Sequence, residues 1–279
     1  MSAMCTDGFP CRCCAARTID AGPRAVAAAL SALGTVVSVT ANDAALLSHT
    51  GEYQPAALPG EALVCGADQI ALRVHPAAVQ EISVTTRALT LSGDPGTHRA
   101  YFTPLSDGLV ITALEAAPPG YTEIAEPVDW PNHDWRGTDQ ITHLDALTSE
   151  RYNVLPFTGA RQVAPRTVPY LLSHLTDIGL PFTTAVPGGG CVQLHRGPAA
   201  LVERAGEHVA AVFGAARYVL MPAAIAECWV TSAHGGAGTT TAVELYDHDH
   251  RCVTVLTQTG AICRHVHDAW EQIAASLPA

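Results

Sequence analysis

The sequence feature that most constrains the fold is a ten-residue segment that occurs twice in one chain. Residues 76–85 read PAAVQEISVT and residues 222–231 read PAAIAECWVT, so six of the ten positions agree at an offset of 146 (222 − 76). Two of the matches are alanines, which are common in this chain, so the pair needs support from elsewhere in the sequence.

Two further matches occur in the same order along the chain. Pro23 begins a segment that is echoed at Pro165 (165 − 23 = 142), and His49 is echoed by His195 (195 − 49 = 146). Ordered matches at nearly constant spacing predict an internal duplication. The change in offset implies about four additional residues in the second copy, and we expect the glycines at 188–190 to absorb them in a loop.

The duplication divides the 279 residues into four expected segments. They are a cysteine-containing N-terminal tail (1–21), a first repeat (22–115), a proline-rich linker (116–132) and a second repeat (133–279). Each repeat is long enough to bury a core without disulfides or a metal.

Local patterns predict the elements of each repeat. After Pro23, which suits the first turn of a helix, Val26, Leu30 and Leu33 recur at the spacing of one helical face. The segment 82–85 instead alternates apolar and polar residues, as a half-buried antiparallel strand does. The expected fold class is α+β, with two homologous repeats that each contain an antiparallel β-sheet with helices.

Composition excludes several classes of partner. The net charge is −11, all fifteen cations are arginines, and no basic run occurs. A negative chain without basic runs is not expected to bind nucleic acid or an anionic membrane. The most apolar segment, 25–39, is too short to cross a bilayer. We therefore expect a cytoplasmic protein with no membrane insertion.

Four of the nine cysteines lie in the tail: Cys5, Cys11, Cys13 and Cys14. An odd total with this distribution is not a disulfide framework. Cys11 and Cys14 form a C-x-x-C, which can chelate a soft metal or cycle through a disulfide. A flexible tail without a site is the alternative.

Three segments of the second repeat resemble a known family. They read GCVQLHRGP at 190–198, IAECWVT at 225–231 and AVELYD at 242–247. They resemble bacterial haem-trafficking and haem-degrading proteins of the HemS/ChuS type, which are themselves internally duplicated. The resemblance covers about 22–115 and 133–277. It implies stacked antiparallel sheets with helices, and a haem held between a helix and a sheet.

The resemblance also implies an axial ligand for the haem iron. The family's proximal histidine follows a WR-x-x-TD-x-H segment, and residues 135–143 of this chain read WRGTDQITH. This implies that His143 is the iron ligand and a catalytic residue, with His133 as the second candidate.

On the other side of the ring, the family's distal arginine lies in an LRLF strand, similar to LRVH at 72–75. This implies that Arg73 hydrogen-bonds the distal ligand of the iron as a catalytic residue. His75 would replace a ring-packing phenylalanine or itself ligate the iron. Trp229, in the family-like WVT segment, is expected to contact the haem.

The chain departs from the family where basic residues usually serve the propionates. Ser232 to His234 follow the WVT segment, and 256–259 replace the family's FG-x-R. The expected function is a haem-binding protein that carries haem to an acceptor, or takes part in its breakdown for iron acquisition with an external electron donor. The alternative is a haem-free binding module, or a metal or redox protein that uses the N-terminal cysteines. The sequence leaves the oligomeric state open.

Overall fold

The computed structural model of the protein describes residues 16–56, 69–119, 141, 144, 160–235, 238–259 and 263–279. Within these residues the chain forms sixteen β-strands and four α-helices. None of the helices in the described ranges is long and apolar enough to cross a membrane.

The first repeat contains seven strands and two helices. They are β1 (Arg17–Thr18), α1 (Pro23–Leu30), β2 (Gly34–Ala41), β3 (Ala45–Tyr53), β4 (Gln69–Val74), β5 (Glu81–Val84), β6 (Ala88–Ser92), β7 (Thr97–Ser106) and α2 (Gly108–Ala116). Pro23 occupies the first turn of α1, as the sequence predicts.

The second repeat follows the same order, with two additional described strands (β11 and β12) before β13, and ends in a longer helix. Its elements are β8 (Arg161–Val163), α3 (Val168–Asp177), β9 (Phe182–Gly188), β10 (Cys191–Gly197), β11 (Leu201–Ala205), β12 (His208–Phe213), β13 (Ala216–Leu220), β14 (Glu227–Gly235), β15 (Gly238–Tyr246), β16 (Cys252–Thr257) and α4 (Arg264–Ser276). The paired prolines Pro76 and Pro222 each begin a short 3₁₀ helix after β4 and β13. The expected α+β class with two similar repeats is confirmed.

The extra residues of the second copy do not lie at 188–190, so that expectation is wrong. In the sequence Leu33 matches Leu175 at the shorter offset. In the structure Val36 of β2 and Phe182 of β9 already occupy matching registers at the longer offset. The insertion therefore falls between Leu175 and Phe182, where α3 ends and turns into β9. The glycines form the tight β9–β10 turn instead, which packs too closely to absorb additional residues.

The strands form two sheets, which a short parallel pairing of β3 with β4 connects. Sheet I has the order β1-β5-β6-β7-β2-β3-β13-β12-β11, and sheet II has the order β4-β10-β9-β16-β15-β14-β8. Each sheet therefore includes strand β4 or β13 from the other repeat. In sheet I, β13 lies beside β3, and in sheet II, β4 lies beside β10.

The two exchanged strands pair in the same register. Residues 71–74 of β4 pair with 194–191 of β10, and residues 217–220 of β13 pair with 48–45 of β3. Adding 146 to the first-repeat position and subtracting 146 from the second-repeat position converts each pair into its counterpart (71 + 146 = 217 and 194 − 146 = 48). The duplication is therefore visible in the hydrogen-bonding register, with a pseudo-two-fold relation between the halves.

Helices cover one face of each sheet. Buried residues of α1 and α2 pack with the strands of the first repeat, including β4, and those of α3 and α4 pack with the strands of the second repeat, including β12 and β13. At the N-terminus the ordered fold begins before residue 22, the expected boundary of the first repeat. Arg17 lies in β1 and donates to the carbonyl of Ala117 (2.7 Å), and Ile19 is fully buried. The four tail cysteines lie outside the described residues.

Candidate functional site

The candidate site lies on the face of sheet II opposite to helices α3 and α4, which we call the outer face. Strand registers align one row of side chains across all seven strands of the sheet. The row consists of Ala71, Leu194, Ala185, Val255, Glu244, Trp229 and Gln162. Its centre is apolar, while polar groups lie towards the β14–β15 end.

An apolar cluster forms the floor of this face. Its strand residues are small or branched, and Tyr246 closes the cluster at one side. Ile141 and Leu144 pack onto the same cluster and are almost fully buried. The floor is therefore an apolar surface that Ile141 and Leu144 help to cover.

Arg73 is a charged side chain buried at the β4 end of the floor. Strand alternation places it on the outer face with Ala71, whereas Ile70 and Leu72 belong to the core of the first repeat. Arg73 is only 4 % exposed, and its guanidinium donates to the backbone carbonyl of Ile141. The first repeat thus contributes a cation to the sheet of the second repeat.

His75 follows β4 and shares this side of the strand by alternation. It is 6 % exposed, and its backbone N–H donates to the carbonyl of Gly190 (2.8 Å). The extended backbone therefore places Arg73 and His75 on the same side of the chain.

The opposite end of the floor contains a buried carboxylate. Glu244 is 1 % exposed, and its two oxygens accept hydrogen bonds from Thr231 (2.8 Å) and Tyr246 (2.6 Å). Trp229 lies beside it on β14, and its indole N–H donates to Glu227 (2.8 Å). Trp229 packs against the same floor as Arg73, and five strand spacings separate β4 from β14.

Two proposed iron ligands, His143 and His133, lie outside the described residues. The neighbouring Ile141 and Leu144 are described, and both contact the apolar floor. Ile141, two positions before His143 in the sequence, also accepts the hydrogen bond from Arg73.

A buried polar network that the sequence analysis missed connects the two repeats. Thr40 and Tyr53 bond the two ring nitrogens of His98 (2.7 and 2.8 Å), and Ser38 and Thr40 both donate to the side-chain oxygen of Gln193 (2.8 Å each). Burial lowers the pKa of His98 to about 3, so its imidazole is neutral. Gln193 belongs to the GCVQLHRGP segment, and this motif is the one feature of the sequence that points to the network. The hydrogen-bond partners of Gln193 lie in the other repeat, too far away in the sequence to be predicted.

His49 and His195, which the repeat matches to each other, meet in space. Their ring centroids are 5.4 Å apart in an edge-to-face arrangement, and Phe213 packs against His195. Burial and the neighbouring His49 lower the pKa of His195 to about 4. The two imidazoles lie at the junction between the repeats and not on the outer face.

The residues of the outer face fit a haem in part. The floor supplies an apolar surface, Arg73 supplies a hydrogen-bond donor and His75 supplies an imidazole, which are three of the groups that haem proteins use. Nowhere in the described ranges do three or more metal-binding side chains cluster. Cys228 points to the helix-covered core, and burial raises its pKa to about 12, so it is not a thiolate ligand.

The second repeat matches a known protein family. Residues 147–277 match the family model described as the haemin-degrading HemS.ChuX domain. No curated protein matches the sequence.

Among solved structures, the fold is similar to that of ChuS, a haem-degrading enzyme from Escherichia coli O157:H7. The identity is 19 % over 95 % of this chain and 87 % of that chain, with a TM-score of 0.74. It is also similar to holo-PhuS, a haem-binding protein from Pseudomonas aeruginosa, at 17 % identity over 95 % and 87 % of the two chains and a TM-score of 0.70. At these identities the likeness establishes the fold.

Proposed function

We propose that this protein binds haem on the outer face of sheet II, because residues 147–277 match the model of the haemin-degrading HemS.ChuX domain. It then carries the haem to an acceptor protein or takes part in its breakdown. The observation that carries the proposal is the buried Arg73, which the first repeat places on the apolar floor of the family domain. Binding of haem by PhuS and its degradation by ChuS, which share the fold, support the same reading.

Each group on the face has a defined role in this proposal. The floor would hold the ring and exclude water from it, and Arg73, which donates to the carbonyl of Ile141 in this structure, would supply a hydrogen-bond donor beside the ring. His143 is the proposed proximal ligand, with His133 and His75 as the other candidates, and Trp229 contacts the ring. When bound, the haem supplies the iron chemistry that ring opening requires.

We place this activity in the cytoplasm, in agreement with the net charge of −11 and the absence of basic runs in the sequence. Ring opening consumes electrons, so a degrading role requires an external electron-donor protein. A carrier role requires only an acceptor that binds haem more tightly than this protein does.

A haemin titration of the parent protein and three variants tests the proposal. The parent should develop a saturable Soret band. His143→Ala should weaken binding and shift the Soret maximum, because the proximal nitrogen is removed. Arg73→Ala should leave the iron bound and change its distal ligand, and His75→Ala should leave the spectrum close to that of the parent.

His265→Ala serves as a control, because His265 is exposed on α4, which covers the opposite side of sheet II. Loss of the parent spectrum in His75→Ala but not in His143→Ala would transfer the ligand to the first repeat. If both retain it, His133→Ala tests the remaining candidate. A parent that shows no saturable binding would overturn the proposed function and favour a haem-free binding module.

A further inference from the structure

Helix α2 carries an exposed apolar face that lies outside the candidate site. Leu105, just before the helix, and Leu109, in its first turn, are 73 % and 83 % exposed, more than any other large hydrophobic side chain of the described residues. Thr112, Ala113 and Ala116 are exposed as well, and at three, four and seven positions after Leu109 they lie on the same side of the helix. We call Leu109, Thr112, Ala113 and Ala116 the α2 stripe.

The α2 stripe faces away from the rest of the molecule. Leu114, on the opposite side of the helix, is buried in the core of the first repeat, and Val110 and Ile111 pack against that core. The hydroxyl of Thr112 donates to the carbonyl of Gly108 (2.7 Å), so its hydrogen bond is made within the helix. A helix that is apolar on both sides is usually covered on both, and the stripe is the uncovered side of α2.

The second repeat shows that the duplicated fold does not require this surface. Arg17 donates to three carbonyls at the end of α2, and Arg161 donates to three equally spaced carbonyls at the end of α4, which aligns the two helices at an offset of 160 (274 − 114). At this offset Leu109 corresponds to Ala269, which packs against the core of the second repeat. The exposed leucine is therefore a property of the first copy alone.

The α2 stripe is complementary in shape to a second copy of itself. Its bulky residue, Leu109, lies at one end, and the small Ala116 lies at the other. In an antiparallel pair, Leu109 of each copy packs against Ala116 of the other, and the two-fold axis passes between Thr112 and Ala113 (109 + 116 = 112 + 113). Small side chains at the centre allow the two helix axes to approach closely.

The charges at the two ends of α2 favour the same antiparallel arrangement. Asp107 caps the N-terminus by accepting from the backbone N–H groups of Leu109 (2.8 Å) and Val110 (3.2 Å), and the half-buried Arg17 is fixed at the C-terminus. Antiparallel pairing brings Asp107 of each copy towards Arg17 of the other, whereas parallel pairing would bring like charges together. The net charge of −11 opposes the alternative of an anionic membrane surface.

We propose that the protein forms a two-fold symmetric dimer by antiparallel packing of the α2 stripes of two copies. The nine residues of α2 span only about 13 Å, so the interface is smaller than the roughly 1,200 Å² of stable complexes. We therefore expect a dissociation constant of about 10–100 μM. The stripe shares no residue with the outer face of sheet II, so the dimer does not depend on haem binding.

Sedimentation equilibrium of the full chain, from about 5 to 500 μM, tests the dimer. Ala113→Glu should raise the dissociation constant about tenfold or more, because it places two carboxylates beside the two-fold axis, and Ala113→Lys should do the same with two ammonium groups. An equimolar mixture of the two variants should recover association, since opposite charges then meet at the axis. Glu and Lys are good helix formers, so neither variant should unfold α2.

Gln272→Glu and Gln272→Lys are the matched controls. Gln272 is exposed on α4 and corresponds to Thr112 at the offset of 160. Both control variants should have the dissociation constant of the parent, and circular dichroism of all four variants should match that of the parent.

The proposal is overturned if the parent remains monomeric up to about 500 μM, or if Ala113→Glu associates as strongly as the parent. Two Ala113 variants that are each monomeric and do not associate when mixed would also overturn it, because the two copies would then not meet at Ala113. Weakened association in the Gln272 variants would move the interface to α4. A monomeric parent that cosediments with phosphatidylcholine vesicles would assign the stripe to a lipid surface instead.

Discussion

At the residue scale, the junction between the repeats is built around neutral histidines. His98 bonds Thr40 and Tyr53 through both ring nitrogens, and His195 packs between His49 and Phe213. An imidazolium in either place would bring an unsolvated charge between the two sheets. Burial therefore lowers the pKa of both His98 and His195 from the usual 6.5.

These pKa shifts predict acid sensitivity. The unfolded chain takes up protons at these histidines below about pH 6.5, whereas the folded protein does not until about pH 3 for His98 and about pH 4 for His195. As the pH falls below about 6.5, each of the two histidines should reduce the free energy of unfolding by about 1.4 kcal/mol per pH unit, until the pH reaches its pKa in the folded protein. His195→Leu should remove one such contribution, as measured by urea unfolding at pH 7.5, 6.0 and 5.0.

The exposed His265→Leu is the control for this experiment. An equal pH dependence in the parent and in His195→Leu would show that His195 is protonated in the folded protein and contradict the prediction.

The sequence identifies only some of the residues that matter. Arg73 and His75 could be placed on one strand face because alternation along a strand is a local property. The partners of Gln193 could not be predicted, because its hydrogen bonds join it to Ser38 and Thr40 in the other repeat. Burial of Glu244 likewise depends on the whole sheet, so the AVELYD segment alone does not reveal it.

At the element scale, the β9–β10 turn shows how backbone geometry limits the sequence. Gly189 has a φ of +66°, and a Cβ there would lie 2.7 Å from the backbone nitrogen of His98 and still closer to the carbonyl of Leu91. The turn therefore inserts a glycine backbone against the first repeat. Helix and strand identity follow from local periodicity, whereas this close approach follows from the pairing of distant strands.

Gly189→Ala should lower the free energy of unfolding by more than about 3 kcal/mol, because conformational strain and a backbone clash act together. Gly214→Ala is the matched control, since its φ is +68° and no atom lies within 4 Å of the added Cβ. Gly214→Ala should lower the free energy of unfolding by about 1–2 kcal/mol, because only the conformational strain contributes. Urea unfolding measures both, and equal losses would argue against close packing at Gly189.

At the scale of the whole molecule, the exchange of β4 and β13 makes each sheet depend on both repeats. We expect that fragments 1–125 and 126–279, produced separately, fold poorly and combine into one folded complex. Each fragment alone lacks the strand that completes its sheet. Size-exclusion chromatography and circular dichroism of the fragments, alone and mixed, measure the effect.

Leu72→Pro in the first fragment should prevent this assembly, because proline lacks the backbone N–H and its rigid ring does not fit a fully buried, paired strand position. Leu72 pairs with Gln193 in the middle of the β4–β10 junction. Two fragments that are each folded and do not associate would show that the repeats are independent domains.

The reciprocal junction also limits how the two halves can diverge over generations. A gene duplication usually frees one copy to change, but here β4 is encoded in the first copy and serves the sheet of the second. The buried arginine of the outer face is inherited with the first copy, and the floor beneath it with the second. Neither half can be lost, or replaced by an unrelated domain, without removing part of the same surface, so we expect natural variation to alter the two copies together.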